Sequence, residues 1–212
     1  TFTDFELIIT DNASTDSTKT ICESYAAQDE RIKYHRNPHN LGAGPNFNLA
    51  FALASGKYFK WVAHDDLIAP EFLAKCIVFL EQDPSIVLCF SDTAIIEENG
   101  RQIDVYDLTL ASDSPSPAAR YRSLLLDWHM CFDIFGVIRA DALRQTPVMG
   151  DYGDGDGVLL TRLALLGRFY KIGECLFLSR RHTQQSMRQF GYAVDKGGND
   201  YHAYAEWFNT AH

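Results

Sequence analysis

The sequence predicts an α/β domain, and three observations lead there. Short apolar runs rich in β-branched and aromatic residues alternate with segments of helical period. An early strand, a polar loop and a helix follow one another from Phe5 to Ala27 as one βα unit. The run Lys57-Tyr58-Phe59-Lys60-Trp61-Val62-Ala63 ends abruptly in His64-Asp65-Asp66, the pattern of a strand that is buried on both faces and stops at a sheet edge. A chain of 212 residues suffices for one well-buried core, so a single domain over residues 1–212 is expected.

Taken in order, Phe5 to Thr10 is a strand signal, and Asp11-Asn12-Ala13-Ser14-Thr15-Asp16 is a polar loop. Ser14 or Asp16 can cap the helix that runs to about Ala27. Arg31 to Arg36 alternates like a short strand, and the turn-rich stretch Asn37 to Pro45 follows. Phe47, Ala50, Phe51 and Ala54 recur at helical spacing from Asn46, with Gly56 in the position of a C-cap. After the strand ending at Asp66, residues Glu71 to Gln82 form an amphipathic helix stopped near Pro84. Asp66 itself is open to two readings, a cap for that helix or a metal ligand.

Ile86 to Ser91 reads as a buried strand, and Thr93 to Val105 as a hairpin turning at Glu98-Asn99-Gly100-Arg101, since Asn-Gly tolerates positive φ. Asp107 to Pro117 is expected to be a mobile surface loop that could serve as a lid. Ala118 to Leu126 reads as a helix, Phe132 to Ile138 as a strand, and Asp141 to Leu143 as the start of another helix. Gly150-Asp151-Tyr152-Gly153-Asp154-Gly155-Asp156-Gly157 interleaves glycines with acids and opens a helix over 158–166, whose positive N-terminus favours an ionised Asp156. Phe169 to Ile172 and Leu176 to Leu178 read as short strands leading to Arg180-Arg181-His182. The aromatic residues of 183–212 suggest a C-terminal helical tail, packed on the core or offering a platform for a sugar ring.

A net charge of −9 and the lack of any Lys/Arg cluster exclude a nucleic-acid surface, and a phosphorylated ligand would need a metal ion to bridge like charges. Cys22, Cys76, Cys89, Cys131 and Cys175 lie far apart without zinc-like spacing, as in a reducing compartment. No apolar run approaches the ~20 residues of a membrane helix. The expectation is a soluble cytoplasmic protein, with attachment at the cytoplasmic membrane face left to segments beyond this sequence.

Read together, the Asp11-Asn12-Ala13-Ser14 loop, Asn40-Leu41-Gly42, His64-Asp65-Asp66, the Gly-Asp-Gly-Asp helix start and Arg181-His182 occur in one order and spacing. In that order the chain resembles the family 2-type inverting glycosyltransferases. The resemblance implies the GT-A fold, a Rossmann-like mixed and mainly parallel sheet flanked by helices. It also implies that a nucleoside diphosphate sugar donates its sugar to a hydroxyl of a glycan or lipid-linked acceptor. Asp11 and Asn12, with Asn40, Gly42 and Asn48, fall where such enzymes hold the nucleotide, and a carboxylate suits the imide N–H of uracil or thymine. Asp11 and Ser14 also read simply as turn and cap residues. By the same resemblance Asp66 coordinates Mn²⁺ or Mg²⁺, His182 is an additional ligand, Asp65 lies near the ribose or sugar, and Arg181 contacts the diphosphate. His182 also reads as a structural histidine.

Asp156, six residues before Arg162, takes the place of the family's catalytic base, with Asp154 and Asp151 as rivals. Four positions depart from the pattern: Asn12 for a second acid in the nucleotide loop, which leaves the donor base open, Ala63 for the first acid of the metal motif, Phe47 for an Arg, and Gly155 for a Glu. The family's first strand and helix are missing, so the chain reads as N-terminally truncated. A sugar nucleotidyltransferase and a degenerate nucleotide-sugar-binding module are the alternatives.

Overall fold

The computed structural model describes residues 1–183 of the 212-residue chain, so the proposed C-terminal tail lies outside the described residues beyond Thr183. Strands β1 (Leu7–Asp11) and β2 (Ile32–Arg36) pair in parallel, which requires a crossover, and α1 (Thr18–Ala26) supplies it. The cap differs from expectation: Ser17 holds the N-cap position without a side-chain bond, while Asp16 Oδ1 accepts from Thr18 N at 3.0 Å. Helix α2 (Ala43–Leu53) starts three residues before Asn46 because Gly42, at φ 86°, turns the chain into it. It stops at an extended Ala54, so Gly56 is not its cap.

The larger sheet has the order β3-β7-β5-β8-β4, with β6 also on β5. Its strands are β3 (Tyr58–Phe59), β4 (Leu67–Ile68), β5 (Ile86–Glu97), β6 (Gln102–Tyr106), β7 (Val137–Arg139) and β8 (Arg168–Arg181). The longest registers, β1 with β2 and β5 with β8, are parallel, and the four shorter pairings are antiparallel. The central β5 continues straight into the expected hairpin, where Gly100 takes φ 85°. Helices α3 (Phe72–Gln82), α4 (Pro117–Leu126), α5 (Ala140–Leu143) and α6 (Gly155–Leu166) flank the sheet. Ser116 caps α4 by accepting from Ala119 N.

Three expectations about strands are corrected. The run from Lys57 to Asp66 is not one strand, because only Tyr58 and Phe59 pair with β7 and the next residues bond through side chains. Lys60 Nζ turns inward to donate to Phe135 O, and Trp61 Nε1 donates to Phe47 O at 3.0 Å. Residues Phe132–Phe135 form a 3₁₀ turn rather than the start of a strand, which begins at Val137. The two short strands after Phe169 are one strand, β8, whose register against β5 slips near Asp92 and absorbs the polar Gly173-Glu174 step. The loop expected to be a mobile lid contains a 3₁₀ turn, Ala111–Asp113. It is tied by Ala111 N to Ser123 Oγ at 3.1 Å and by Arg168 to Asp113 at 2.8 Å.

Alternate residues of β5 and β7 serve two cores. Leu88 and Ile138 join Trp61, Leu143, Leu159, Leu160, Leu163 and Phe169 on one face, while Cys89 and Val137 join Phe72, Cys76, Leu80, Ile172 and Phe177 under α3. Leu159, Leu160 and Leu163 of α6 are fully buried. Burying each is worth about 2 kcal/mol, so this face fixes α6 and the acids at its start. Among the described residues no helix is long and apolar enough to cross a membrane.

Candidate active site

Three groups of polar residues gather where strands end and helices begin. The first closes the loop after β1. Asn12 Nδ2 donates to Asn40 Oδ1 at 2.6 Å and to Gly42 O at 3.0 Å, and its Oδ1 accepts from Leu41 N at 2.8 Å and Asn37 Nδ2 at 3.1 Å. Buried Asn37 also donates to Asn46 Oδ1 at 2.9 Å, and Asn46 Nδ2 donates to Thr10 O at 3.1 Å. Four asparagines thus lock the two loops together. Asn37 and Asn46 escaped the sequence reading, which had no means of pairing amides from separate turns.

Asp11 faces inward, with a fully buried side chain. Its Oδ1 accepts from Ser14 N at 2.8 Å, and its Oδ2 accepts from Tyr34 Oη at 2.6 Å and lies 3.4 Å from Arg36 Nε. Burial alone would raise its pKa, but the Ser14 and Tyr34 bonds and the Arg36 charge outweigh it and hold the carboxyl below its ordinary value. In this geometry Asp11 pins the loop, and Asn12 and Asn40 join its two sides. Asn48 likewise meets main chain. Its Nδ2 donates to Met149 O at 2.8 Å and its Oδ1 accepts from Met149 N at 2.9 Å, which ties α2 to the Gly150-Asp151 loop.

The second group lies where β4 meets the end of β8. His182 Nε2 is 2.9 Å from Asp65 Oδ2, and both side chains are partly open to solvent. Asp66 instead accepts from Arg180 N at 2.9 Å. Burial and the neighbouring Asp65 charge raise its pKa, against the lowering effects of the Arg180 and Ser179 bonds and of Lys60. Asp66 neither caps α3, whose N-cap is Glu71, nor pairs with His182. Lys60 sits beneath it, 4.6 Å from the centroid of Phe72 and 5.2 Å from that of Phe177, and burial drops its pKa to about 7.

The third group surrounds the start of α6. Ligand atoms of Cys131, Asp154 and Asp156 all lie within 4.8 Å of one another. Asp154, at φ 61°, is the N-cap residue without a side-chain capping bond, and Asp156 Oδ1 accepts from Gly157 N at 3.0 Å. Burial raises the pKa of both, that of Asp154 further because of Asp156, while His129 pulls both down. Buried Asp133 is pushed up to about 6, and burial beside these acids also raises Cys131. His129, Cys131 and Asp133 were not predicted as site residues; their i, i+2, i+4 spacing is the signal that could have found them. His129 Nδ1 lies 3.0 Å from Asp127 O, and its buried Nε2 has no partner. A cleft of about 250 Å³ opens here, lined by Trp128, His129, Cys131, Asp154, Gly157 and Thr161 among others.

The second and third groups are linked. The Arg181 guanidinium lies 5.9 Å from the centroid of Phe132, the residue after Cys131, and Phe132 stands 6.2 Å from Phe177. Two departures from the resembled pattern have local causes. A Cβ on Gly155 would lie 2.7 Å from Gly150 O, so the folded glycine loop leaves no room for a Glu. Phe47 packs toward Trp61, centroids 6.3 Å apart, instead of reaching outward as an Arg would.

A family model described as glycosyl transferase family 2 matches residues 1–146. The abequosyltransferase RfbV of Salmonella typhimurium is 37% identical over 87 residues, 41% of this chain and 26% of the relative. An uncharacterized glycosyltransferase of Methanocaldococcus jannaschii is 37% identical over 94 residues, 44% of this chain and 32% of its own length. The chain therefore spans about a third or less of these relatives. Among solved structures, S. aureus TarS 1-349 in complex with UDP-GlcNAc matches with a TM-score of 0.64 at 18% identity, over 87% of this chain and 52% of that one. The mannosyltransferase PcManGT of Pyrobaculum calidifontis, in complex with GDP-Man and Mn²⁺, matches at 0.59 with 16% identity over 97% and 59%. At those identities the structural likeness concerns the fold, which is the expected α/β architecture.

Proposed function

Since the chain belongs to glycosyl transferase family 2, we propose that it moves a sugar from a nucleoside diphosphate sugar to an acceptor hydroxyl, with inversion at the anomeric carbon. The single observation that carries this reading is the Asp154/Asp156 pair. It is held at a rigid helix start beside a cleft and linked through Phe132 and Arg181 to the Asp65/His182 pair. Neighbours solved with UDP-GlcNAc and with GDP-Man support a donor of this class. The acceptor is a hydroxyl of a glycan or lipid-linked saccharide, and residues 1–212 act as one domain. Family membership favours this reading over a nucleotidyltransferase.

Asp156 is the general base. Its Oδ1 is engaged by Gly157 N, so its Oδ2 accepts the acceptor proton as the hydroxyl oxygen attacks from the face opposite the diphosphate. Burial makes Asp156 more basic than a free carboxylate, as a base working near neutral pH needs, and the Asp156 charge in turn raises Asp154 beside it. The clasp of Asn12, Asn40 and Gly42 holds the nucleoside, with Asp11 pinning it from behind. Arg181 faces the diphosphate.

Asp65 and His182, one carboxylate oxygen and one imidazole nitrogen side by side, fit a divalent cation better than Asp66, whose Oδ1 serves Arg180. Mn²⁺ or Mg²⁺ held there would neutralise charge on the departing nucleoside diphosphate. PcManGT with Mn²⁺ supports the choice of ion. Sugar transfer from a panel of nucleoside diphosphate sugars tests the proposal: wild type should release nucleoside diphosphate with acceptor present, and Asp156→Asn should not while still binding donor. Equal turnover by both proteins would reject Asp156 as the base.

A further inference from the structure

Cys131, Asp154 and Asp156 set one sulfur and two carboxylates within 4.8 Å of one another, a mixed donor set that catalysis by a carboxylate base does not require. A tetrahedral cation with sulfur at about 2.3 Å and oxygens at about 2.1 Å spaces its donors roughly 3.5 Å apart, within reach of small side-chain rotations here. None of the three side chains is fully engaged. Asp154 makes no capping bond, Asp156 has the single Gly157 N–H on Oδ1, and the Cys131 sulfur has only a 4.0 Å contact to His129 O.

Two further observations point to a cation. His129, two residues from Cys131, keeps a buried Nε2 without a partner. The cleft of about 250 Å³ is lined by His129, Cys131 and Asp154 together, so an ion has a path to them.

We propose that Cys131, Asp154 and Asp156 form a site for a thiophilic divalent cation of the Zn²⁺ type, separate from the Asp65/His182 pair, and that its occupancy silences the base. Only the inhibition rests on the function proposed above; the binding does not. On binding, the Cys131 S–H bond is replaced by a sulfur–metal bond and its proton passes to solvent, so affinity rises with pH. Ligand softness keeps the two sites apart. Thiolate selects Zn²⁺, whereas Mn²⁺ and Mg²⁺ favour oxygen donors and the phosphates of a bound donor.

The test uses Co²⁺ as a spectroscopic stand-in, titrated into the chelator-treated protein, with Zn²⁺ as competitor. One Co²⁺ should bind with a thiolate-to-metal charge-transfer band that Zn²⁺ abolishes. The band should vanish in Cys131→Ser and persist in Asp65→Asn. Asp154→Asn, at an exposed position, should weaken binding about a hundredfold, the upper end of what loss of even an outer-shell partner costs. It carries the same reading should Cys131→Ser not fold. Absence of the band in wild type, its survival in Cys131→Ser, or unchanged affinity in Asp154→Asn would overturn the site. A protein that shows the band and the mutant pattern but transfers no sugar upholds the site and counts against the proposed activity.

Discussion

Removing the Asn48 amide should loosen the loop that carries the proposed base while leaving the asparagine clasp after β1 intact. Asn48 and Met149 exchange two hydrogen bonds, at 2.8 and 2.9 Å, across 101 residues of sequence. Each is worth about 1 kcal/mol net, and a part-buried main-chain group left without a partner costs more, so Asn48→Ala should destabilise the protein by about 2 to 4 kcal/mol. For a chain of this size that lowers the melting temperature by roughly 5 to 15 °C. The released segment leads directly to Asp154 and Asp156, and displacement of a base by about 1 Å is enough to cost ~10²-fold in turnover. Asn48→Asp, which keeps an acceptor for Met149 N but loses the donor to Met149 O, should fall between wild type and Asn48→Ala in stability. Urea unfolding and steady-state transfer kinetics give both numbers. A change below about 0.5 kcal/mol, typical of an unconnected surface site, would refute the bracket.

Other consequences follow from the same geometry. Asp156→Asn should lower kcat by about 10² to 10⁴ with little change in donor affinity, read by transfer assay and calorimetry. Because burial raises the pKa of Asp156 and a base must be ionised, the rate should fall as pH drops through that raised value, and the acidic limb should disappear in Asp156→Asn. Asp133 has a folded pKa of about 6 against 3.8 ordinarily, so the native state holds its proton longer than the unfolded chain does. Wild-type stability should therefore decline as pH rises from about 4 to about 6, and Asp133→Asn should flatten that part of the curve in urea titrations at several pH values. Gly155→Ala places a methyl 2.7 Å from Gly150 O, a main-chain atom, and should both destabilise the protein and depress kcat, measured by thermal unfolding and transfer assay.

What could be read from the sequence was mostly local. Helix α3 ends as its apolar period and Pro84 demand, the Asn99-Gly100 turn lies where expected, and the glycine-acid stretch does open α6. These elements depend on residues a few positions apart. The strand expected from Lys57 to Asp66 fails because Lys60 and Trp61 satisfy main-chain acceptors on Phe135 and Phe47, partners no period reveals. The partners of Asp65 and Asp66 were hidden for a similar reason: the pairing of β4 with β8 decides which carboxylate meets His182 and which meets Arg180 N. Cys131 read as a small apolar core residue, and its meeting with Asp154 and Asp156 required two segments, the one after α4 and the one that opens α6, to converge. The loop holding Asp11 was legible as a polar turn, but the inward orientation of its carboxylate depends on Tyr34 of β2.

The most direct measurement is a structure of the protein with a nucleoside diphosphate and Mn²⁺. The expected result is an ion about 2.2 Å from an oxygen of Asp65 and a nitrogen of His182, with the diphosphate between that ion and the Asp156 carboxylate. A nucleotide seated away from Asp65, or an Asp156 side chain on the far side of the molecule from the bound phosphates, would contradict it.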